Sequence, residues 1–371
     1  MGGRDPDVLV LGGGLIGLAC ARELALRGVR VTLLERGAIG REASAAAAGM
    51  LAPLSEVRTP GALFEACRAS RDRWPSWLAA VTEEAGRGVE YDGSGALITA
   101  RGRADELAML DEMESAAATL AEPVEDFPLD ELFRLVPDLT RETVRALRLP
   151  GEHRVDNVEL CRVLRSAVEA GGVEVLEGAG VTRLRRDGEG IRIERTQGGP
   201  VRASAAVVAT GAWSGGLAGV EPLPVRPVRG QMLRLTGVDW PWNGNVRTLR
   251  VRYGIRRGPH DLLFGATLED VGFEPGPTPA GLSTLLADLA AAFPTLADAR
   301  ICDSWAGWRP GTPDDLPVVG RYRDWPVWIA SGHYRNGILL APWTAETLVP
   351  WVIGEADEPS AHAFGWARFA P

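Results

Sequence analysis

Apolar and polar positions change rhythm three times within the first 35 residues. Val8 to Leu11 is a short unbroken apolar run, as in a strand buried on both faces of a parallel sheet. Leu15 to Arg27 repeats apolar residues at helical spacing and meets a stop at Gly28. Val29 to Leu34 is apolar again and ends at Glu35. Between the first strand and the helix stands Gly12-x-Gly14-x-x-Gly17. Strand, glycine turn, helix, strand and terminal acid make one βαβ unit that binds a dinucleotide. Gly12 permits the tight turn, Gly14 admits a pyrophosphate to the backbone, and Gly17 lets helix and strand pack closely. The pyrophosphate then lies at the positive end of the helix dipole. Glu35 suits two ribose hydroxyls and would repel a 2′-phosphate, which argues against NADP. The unit alone does not separate NAD from FAD.

Further along, Arg41 to Met50 is rich in alanine. It reads equally well as a helix or as a segment kept small so that backbone lies against a planar ligand. Pro60 to Gly86 is expected to be helical, with Trp74 and Trp77 on it. Val89 to Thr99 reads as a hairpin turning at Gly93 and Gly95. Residues 103 to 145 read as mostly helical and acidic, broken at Pro123, Pro128 and Pro137. A helix is expected over Asn157 to Ala170, then strands over Val173–Leu176, Val181–Leu184, Gly190–Arg195 and Val201–Ala203. The apolar run from Ala205 ends in Ala209-Thr210-Gly211-Ala212-Trp213, whose small residues leave room for a ligand at a sheet edge. Residues 222 to 309 alternate in a way that points to an antiparallel sheet. Val327 to Ala330 is a further buried strand, followed by a helix to about Leu348 that Pro350 should stop.

Composition narrows the partners. The chain has 371 residues, 46% hydrophobic and 24% charged, with a net charge of −9. That is ordinary for a globular protein of two modest domains or one large one. Without a basic block, nucleic acid is not an expected partner. No apolar stretch is long enough to span a membrane and no signal segment is apparent. Pro6 stands where N-myristoylation would need Ser or Thr. Cys20, Cys67, Cys161 and Cys302 are far apart, and buried reduced thiols are expected, with no metal site.

GGGLIG with Glu35, SAAAAGML, VVATGAW, WRPGTPDDLP and GHYRNGILLAP occur in that order over nearly the whole chain. Together they resemble the glycine oxidase and D-amino acid oxidase group of flavoproteins, most closely its glycine oxidase branch tied to thiamine biosynthesis. The resemblance selects FAD over NAD. It implies a Rossmann-like α/β FAD-binding domain from residues 1–86, 151–219 and 310–371. A D-amino acid oxidase-like antiparallel-sheet substrate domain would come from 87–150 and 220–309. FAD contacts are implied at Gly12, Gly14, Leu15, Ile16 and Gly17, then at Glu35, Arg36 and Ser44. Ala47, Ala48, Gly49 and Met50 would pass along the ring system, with Val181 at the adenine. Thr210, Gly211, Trp213, Gly332, Arg335, Asn336, Gly337 and Ile338 complete the set. The junction at Arg335–Ile338 offers N–H groups to the charge a reduced flavin carries. Gly307 stands where sarcosine-oxidase relatives tether FAD through a cysteine, so the FAD is expected to be non-covalent.

The resemblance also implies substrate chemistry. Arg309 matches the arginine that pairs with the substrate carboxylate, a bidentate task for which a guanidinium is suited. Tyr253 matches the tyrosine that holds the same carboxylate. Plain alternatives are an Arg309–Asp314 salt bridge and a packing role for Tyr253. His333 is assigned a structural role. Tyr253-Gly254-Ile255-Arg256-Arg257 departs from the group's Tyr-apolar-Val-Pro-Arg, and Val251 stands where a relative carries a polar side chain. The implied reaction is oxidative deamination of a small amino acid, foremost glycine, by hydride transfer from Cα to flavin N5. Glyoxylate, ammonia and hydrogen peroxide would result. Rival readings are another amine (sarcosine, a D-amino acid or a biosynthetic intermediate), a dehydrogenase with a non-oxygen acceptor, or a subunit whose FAD is structural. A cytoplasmic homo-oligomer using molecular oxygen is expected.

Overall fold

The computed structural model describes residues 5–248 and 252–369. Val251 therefore lies outside the described residues.

A six-stranded sheet forms the base. Its order is Val318–Arg321, Val327–Ser331, Ala205–Val208, Val8–Leu11, Val31–Leu34 and Glu174–Leu176. Every pairing is parallel except Val318–Arg321 against Val327–Ser331. Strands covered on both faces need side chains that are apolar on both, and Val8, Leu9, Val10 and Leu11 are all buried. Val8 and Val10 join one core cluster, Leu9 and Leu11 the other. The helix Leu15–Leu26 packs on the first of these faces, and Gly28, at φ +74°, ends it as a left-handed residue. The helices Ala62–Ala85, Asn157–Ala170 and Ala341–Ile353 cover the same face. Asp156 caps the second of these by accepting from the N–H groups of Val158 and Glu159.

An eight-stranded sheet stands beside it, from Arg300–Gly311 through Arg226–Thr236, Asp261–Gly265, Arg252–Arg257, Asn245–Thr248, Ala96–Arg101 and Thr143–Leu149 to Glu125–Asp126. It is antiparallel but for one parallel junction, Asn245–Thr248 with Ala96–Arg101. A third sheet of three short strands joins Met50–Leu51, His153–Val155 and Tyr91–Asp92. Val181–Asp187, Gly190–Arg195 and Val201–Ala203 form a separate antiparallel ribbon.

Four expectations need correction. The hairpin over 89–99 does not form. Tyr91–Asp92 pairs with His153–Val155, while Ala96–Arg101 lies between Thr143–Leu149 and Asn245–Thr248. Gly95, at φ +103°, lets the chain pass close under Leu149: a Cβ there would lie 2.8 Å from its carbonyl oxygen. The run 222–309 also contains a helix, Pro279–Ala292, capped by Thr278 with Pro279 in its first turn. Pro350 does not stop the last helix, which runs on to Ile353. Only one turn remains after the proline, and Gly354, at φ +75°, closes it. Finally, Cys302 is exposed, whereas Cys20, Cys67 and Cys161 are buried free thiols. Among the described residues no helix is long and apolar enough to cross a membrane.

Candidate active site

Where the two large sheets meet lies a cavity of about 930 Å³. It runs from the carboxyl ends of the parallel strands to the face of the eight-stranded sheet. Its size is within the roughly 300–1,000 Å³ of small-molecule and cofactor sites.

At the strand end the glycine turn is packed as tightly as its spacing requires. A Cβ on Gly12 would lie 2.4 Å from the carbonyl oxygen of Ala209. A Cβ on Gly17 would lie 1.9 Å from that of Gly12. Glu35 accepts hydrogen bonds from the N–H groups of Gly13 at 2.7 Å and Gly37 at 2.8 Å, which fixes its carboxylate beside the turn. Its remaining lone pairs are free for hydroxyl donors. Ser44 Oγ accepts from the Leu15 N–H at 2.9 Å, at the first turn of the helix. Arg36 lies 3.5 Å from the Trp213 ring centroid, and Phe273 stacks on Trp213 at 4.9 Å.

Alanine-rich 41–50 is helical only at its start. After one turn at Arg41–Ala45 the chain runs along the cavity wall as Ala46 to Gly49 into the strand Met50–Leu51. Asn157 Nδ2 ties it down by donating to the carbonyls of Ser44 at 2.7 Å and Ala47 at 2.9 Å. Gly49, at φ +80°, passes so near Val155 that a Cβ would lie 2.0 Å from its carbonyl oxygen. Opposite, Ser70 Oγ and Trp74 Nε1 both donate to the Leu339 carbonyl, at 2.6 and 2.8 Å. They hold the turn that carries Arg335 to Ile338 against the cavity.

The sheet end holds Arg309 and Tyr253. Arg309 comes from the strand Arg300–Gly311, and Gly230 on the neighbouring strand leaves room for its guanidinium. Nη1 donates to the Thr267 carbonyl at 3.3 Å. Asp314 is not its partner; that carboxylate binds Arg368 at 2.8 Å. Among the described residues no carboxylate lies within ion-pair distance of Arg309. Tyr253 is buried, with its hydroxyl 3.4 Å from Met232 Sδ. Burial raises the phenol above its ordinary pKa and the Arg309 charge opposes this, so the hydroxyl stays a proton donor near neutrality. His333 is buried, with Nε2 2.9 Å from Thr344 Oγ1, and burial pushes it down to about 3. It is neutral near pH 7, and it lines the cavity.

Beside this pair stands a group the sequence did not single out. Glu56 Oε1 accepts from Arg247 Nη2 at 3.0 Å, and Arg335 Nε lies 2.9 Å from Oε2. Burial works against the ionised form of Glu56, but Arg247 and Arg335 outweigh it and hold the carboxyl below its usual range. Glu152, in turn, accepts from the backbone N–H and the hydroxyl of Ser55, at 2.6 and 2.7 Å. Only the lone acid in the apolar stretch Met50-Leu51-Ala52-Pro53-Leu54-Ser55-Glu56 hinted at this. Arg247 carried no signal, because its role depends on a strand register.

The structure brings all the expected site residues to the cavity except Gly17 and Gly332. Gly17 serves helix packing. Gly332, at φ +74°, is hemmed in by Thr312, whose Cγ2 would lie 2.6 Å from a Cβ there. Among the described residues no cysteine lines the cavity. Trp308 Nε1 and Asn336 Oδ1, on two lining residues, are buried with no hydrogen-bond partner. A cradle that tolerates only glycine, a fixed acid and such orphaned polar atoms fit a flavin dinucleotide.

Residues 7–351 match the family described as DAO, FAD dependent oxidoreductase, and the chain belongs to that family. It is 37% identical over 377 residues to the bifunctional protein ThiO/ThiG of Trichormus variabilis, with 98% of this chain and 55% of that protein aligned. The chain thus spans about half the length of the ThiO/ThiG relatives it matches. It is 36% identical over 365 residues to a glycine oxidase of Pseudomonas aeruginosa, covering 96% of this chain and 98% of that one. The fold matches the crystal structure of glycine oxidase from Geobacillus kaustophilus with a TM-score of 0.89 at 32% identity, over 98% of this chain and 97% of that chain.

Proposed function

We propose that this protein oxidatively deaminates a small amino acid, foremost glycine, to the 2-oxo acid and ammonia. The observation that carries the reading is Arg309, a cavity-lining guanidinium with no carboxylate partner among the described residues, beside the Tyr253 hydroxyl. A substrate carboxylate would take the guanidinium bidentately and the hydroxyl as a third donor. That fixes the Cα–H relative to the cofactor and supplies the geometric part of the rate enhancement. FAD, held non-covalently, would supply the acceptor for the Cα hydride and the route by which the electrons reach oxygen, which would leave as hydrogen peroxide. The amine reacts neutral, and the imine is hydrolysed in water. Gly12, Gly14, Glu35 and Ser44 would hold the dinucleotide, Ala47 to Met50 and Arg335 to Ile338 the ring system. The same proposal assigns 1–86, 151–219 and 310–371 to FAD and 87–150 and 220–309 to the substrate. It places the protein in the cytoplasm as a homo-oligomer.

The test is anaerobic mixing of the yellow protein with glycine, followed at the flavin absorbance. Bleaching that air reverses, with release of peroxide, is the expected result. Arg309→Ala should raise the half-saturating glycine concentration about 100-fold, as loss of a charged hydrogen-bond pair implies. Bleaching by another amine alone would keep the chemistry and discard glycine. No bleaching by any amino acid would end the oxidase reading.

A further inference from the structure

Three guanidiniums crowd the outer part of the sheet end of the cavity. Arg58, Arg247 and Arg335 all line it, and the carboxylates on the same wall are Glu56 and Glu112. Glu56 is shared by Arg247 and Arg335. Arg58 reaches Glu112 only at 3.8 Å, and the Glu112 side chain is 66% exposed, so that pair is weak. Arg247 Nη1 is buried without a hydrogen-bond partner. Burial and the neighbouring charges of Arg247 and Arg335 press the Arg58 guanidinium below its ordinary pKa. Three cations thus share two carboxylates, Glu56 and the weakly engaged Glu112, among the described lining residues. Arg252, by contrast, is satisfied by Asp288 and the Ala266 carbonyl, both at 2.6 Å.

One member of the cluster stands beside the clamp. Arg247 is the cross-strand partner of Tyr253, and such partners stand about 4.5–5.5 Å apart at Cα. Side-chain exposure rises from 13% at Arg247 to 33% at Arg58, so the cluster leads from the buried clamp towards solvent.

We propose that this cluster is a second carboxylate site, and that the chain takes amines carrying two carboxylates, one on Arg309 and Tyr253, the other among Arg58, Arg247 and Arg335. The inference rests on the amine-oxidase reading and names its substrate class. The second carboxylate can sit on the amine's other substituent or on the side chain at Cα. Either way the amine stays between the two anchors, and the oxidised bond is the same Cα–H.

The test uses holoenzyme with glycine, iminodiacetate and D-aspartate as reacting probes, and acetate and malonate as non-reacting ones. Malonate should perturb the flavin spectrum at a concentration about tenfold below acetate, as one added charged contact implies. One of the two dicarboxylic amines should half-saturate bleaching about tenfold below glycine, and which one tells where the second carboxylate sits. Arg58→Gln should cut that preference about tenfold, and Arg58→Lys should restore part of it. Malonate no tighter than acetate, or an Arg58→Gln loss equal for mono- and dicarboxylates, would overturn the site. If no amine bleaches the flavin, the oxidase reading falls. The acetate–malonate comparison still decides the subsite.

Discussion

Gly230 sets the position of Arg309. A methyl group there would stand 2.3 Å from Nη1 of the guanidinium, which is the far end of a flexible side chain and can swing away. Gly230→Ala should therefore leave the melting temperature almost unchanged and raise the half-saturating substrate concentration about tenfold, the scale of one charged contact. An unchanged value would remove Arg309 from the carboxylate site. Glu152 offers a stability test. Burial pushes its carboxyl up to about 7 against the pull of Arg247 and Ser55. The native state thus holds a proton between the usual carboxylate range and about pH 7 that the unfolded chain has lost. That contribution is complete at low pH and disappears as pH rises through about 7. Glu152→Gln should gain stability relative to the parent between pH 5 and 8, by on the order of 1–3 kcal/mol in urea unfolding. An equal difference at both pH values would sink the idea. At this scale Arg309 and Tyr253 were marked in the sequence only through the family resemblance, and the structure brings both to the cavity. Glu56 and Arg247 were not, since 191 positions separate them and only the folded register joins them.

Among the elements, those closed by local contacts were readable in the sequence. The helix Leu15–Leu26 begins at the glycine turn and ends by Gly28, and Asn157–Ala170 has its own cap in Asp156. Val89 to Thr99 misled because its two strands find partners far along the chain, in different sheets. Alternation and glycine show that a strand exists, not what it pairs with. The helix over 279–292 was hidden by its surroundings, an alternating stretch punctuated by glycine and proline. The first helix gives the sharpest test of local packing. Gly17 meets backbone, not a side chain that could swing aside, so Gly17→Ala must push the helix off the turn at Gly12. The variant should purify with little flavin and lose about 1–3 kcal/mol of stability, the usual cost of overpacking. Full flavin content would show that the turn is looser than its geometry.

For the molecule as a whole, the question is what keeps the eight-stranded sheet in register with the wall of the cofactor cavity. Arg257 is placed to do so. It ends the strand Arg252–Arg257, yet its guanidinium donates to the carbonyl of Ala48 at 3.1 Å, to Asn157 Oδ1 at 3.0 Å and to the carbonyl of Val155 at 3.3 Å. It also lies 3.3 Å from Asp156 Oδ2, the helix cap, with its own side chain 11% exposed. One arginine thus links the eight-stranded sheet, the alanine-rich wall and the start of a helix on the parallel sheet. Arg256, its neighbour in the chain, bonds among the described residues to Gly258, Trp240 and Asn243, near its own strand and the loop behind it. The two neighbours have the same charge and differ in what they connect. Arg257→Ala leaves a partly buried Asp156 without its cation, and should cost on the order of 2 kcal/mol. The wall at Ala48 should also drift, so flavin should be released at lower denaturant than global unfolding requires. Arg256→Ala should cost under about 1 kcal/mol, as surface changes do, and keep its flavin until the chain unfolds. Parallel denaturant titrations, read by flavin fluorescence and by circular dichroism, separate the two cases. If both variants release flavin together with unfolding, the sheets are held by their buried faces and Arg257 is not the link.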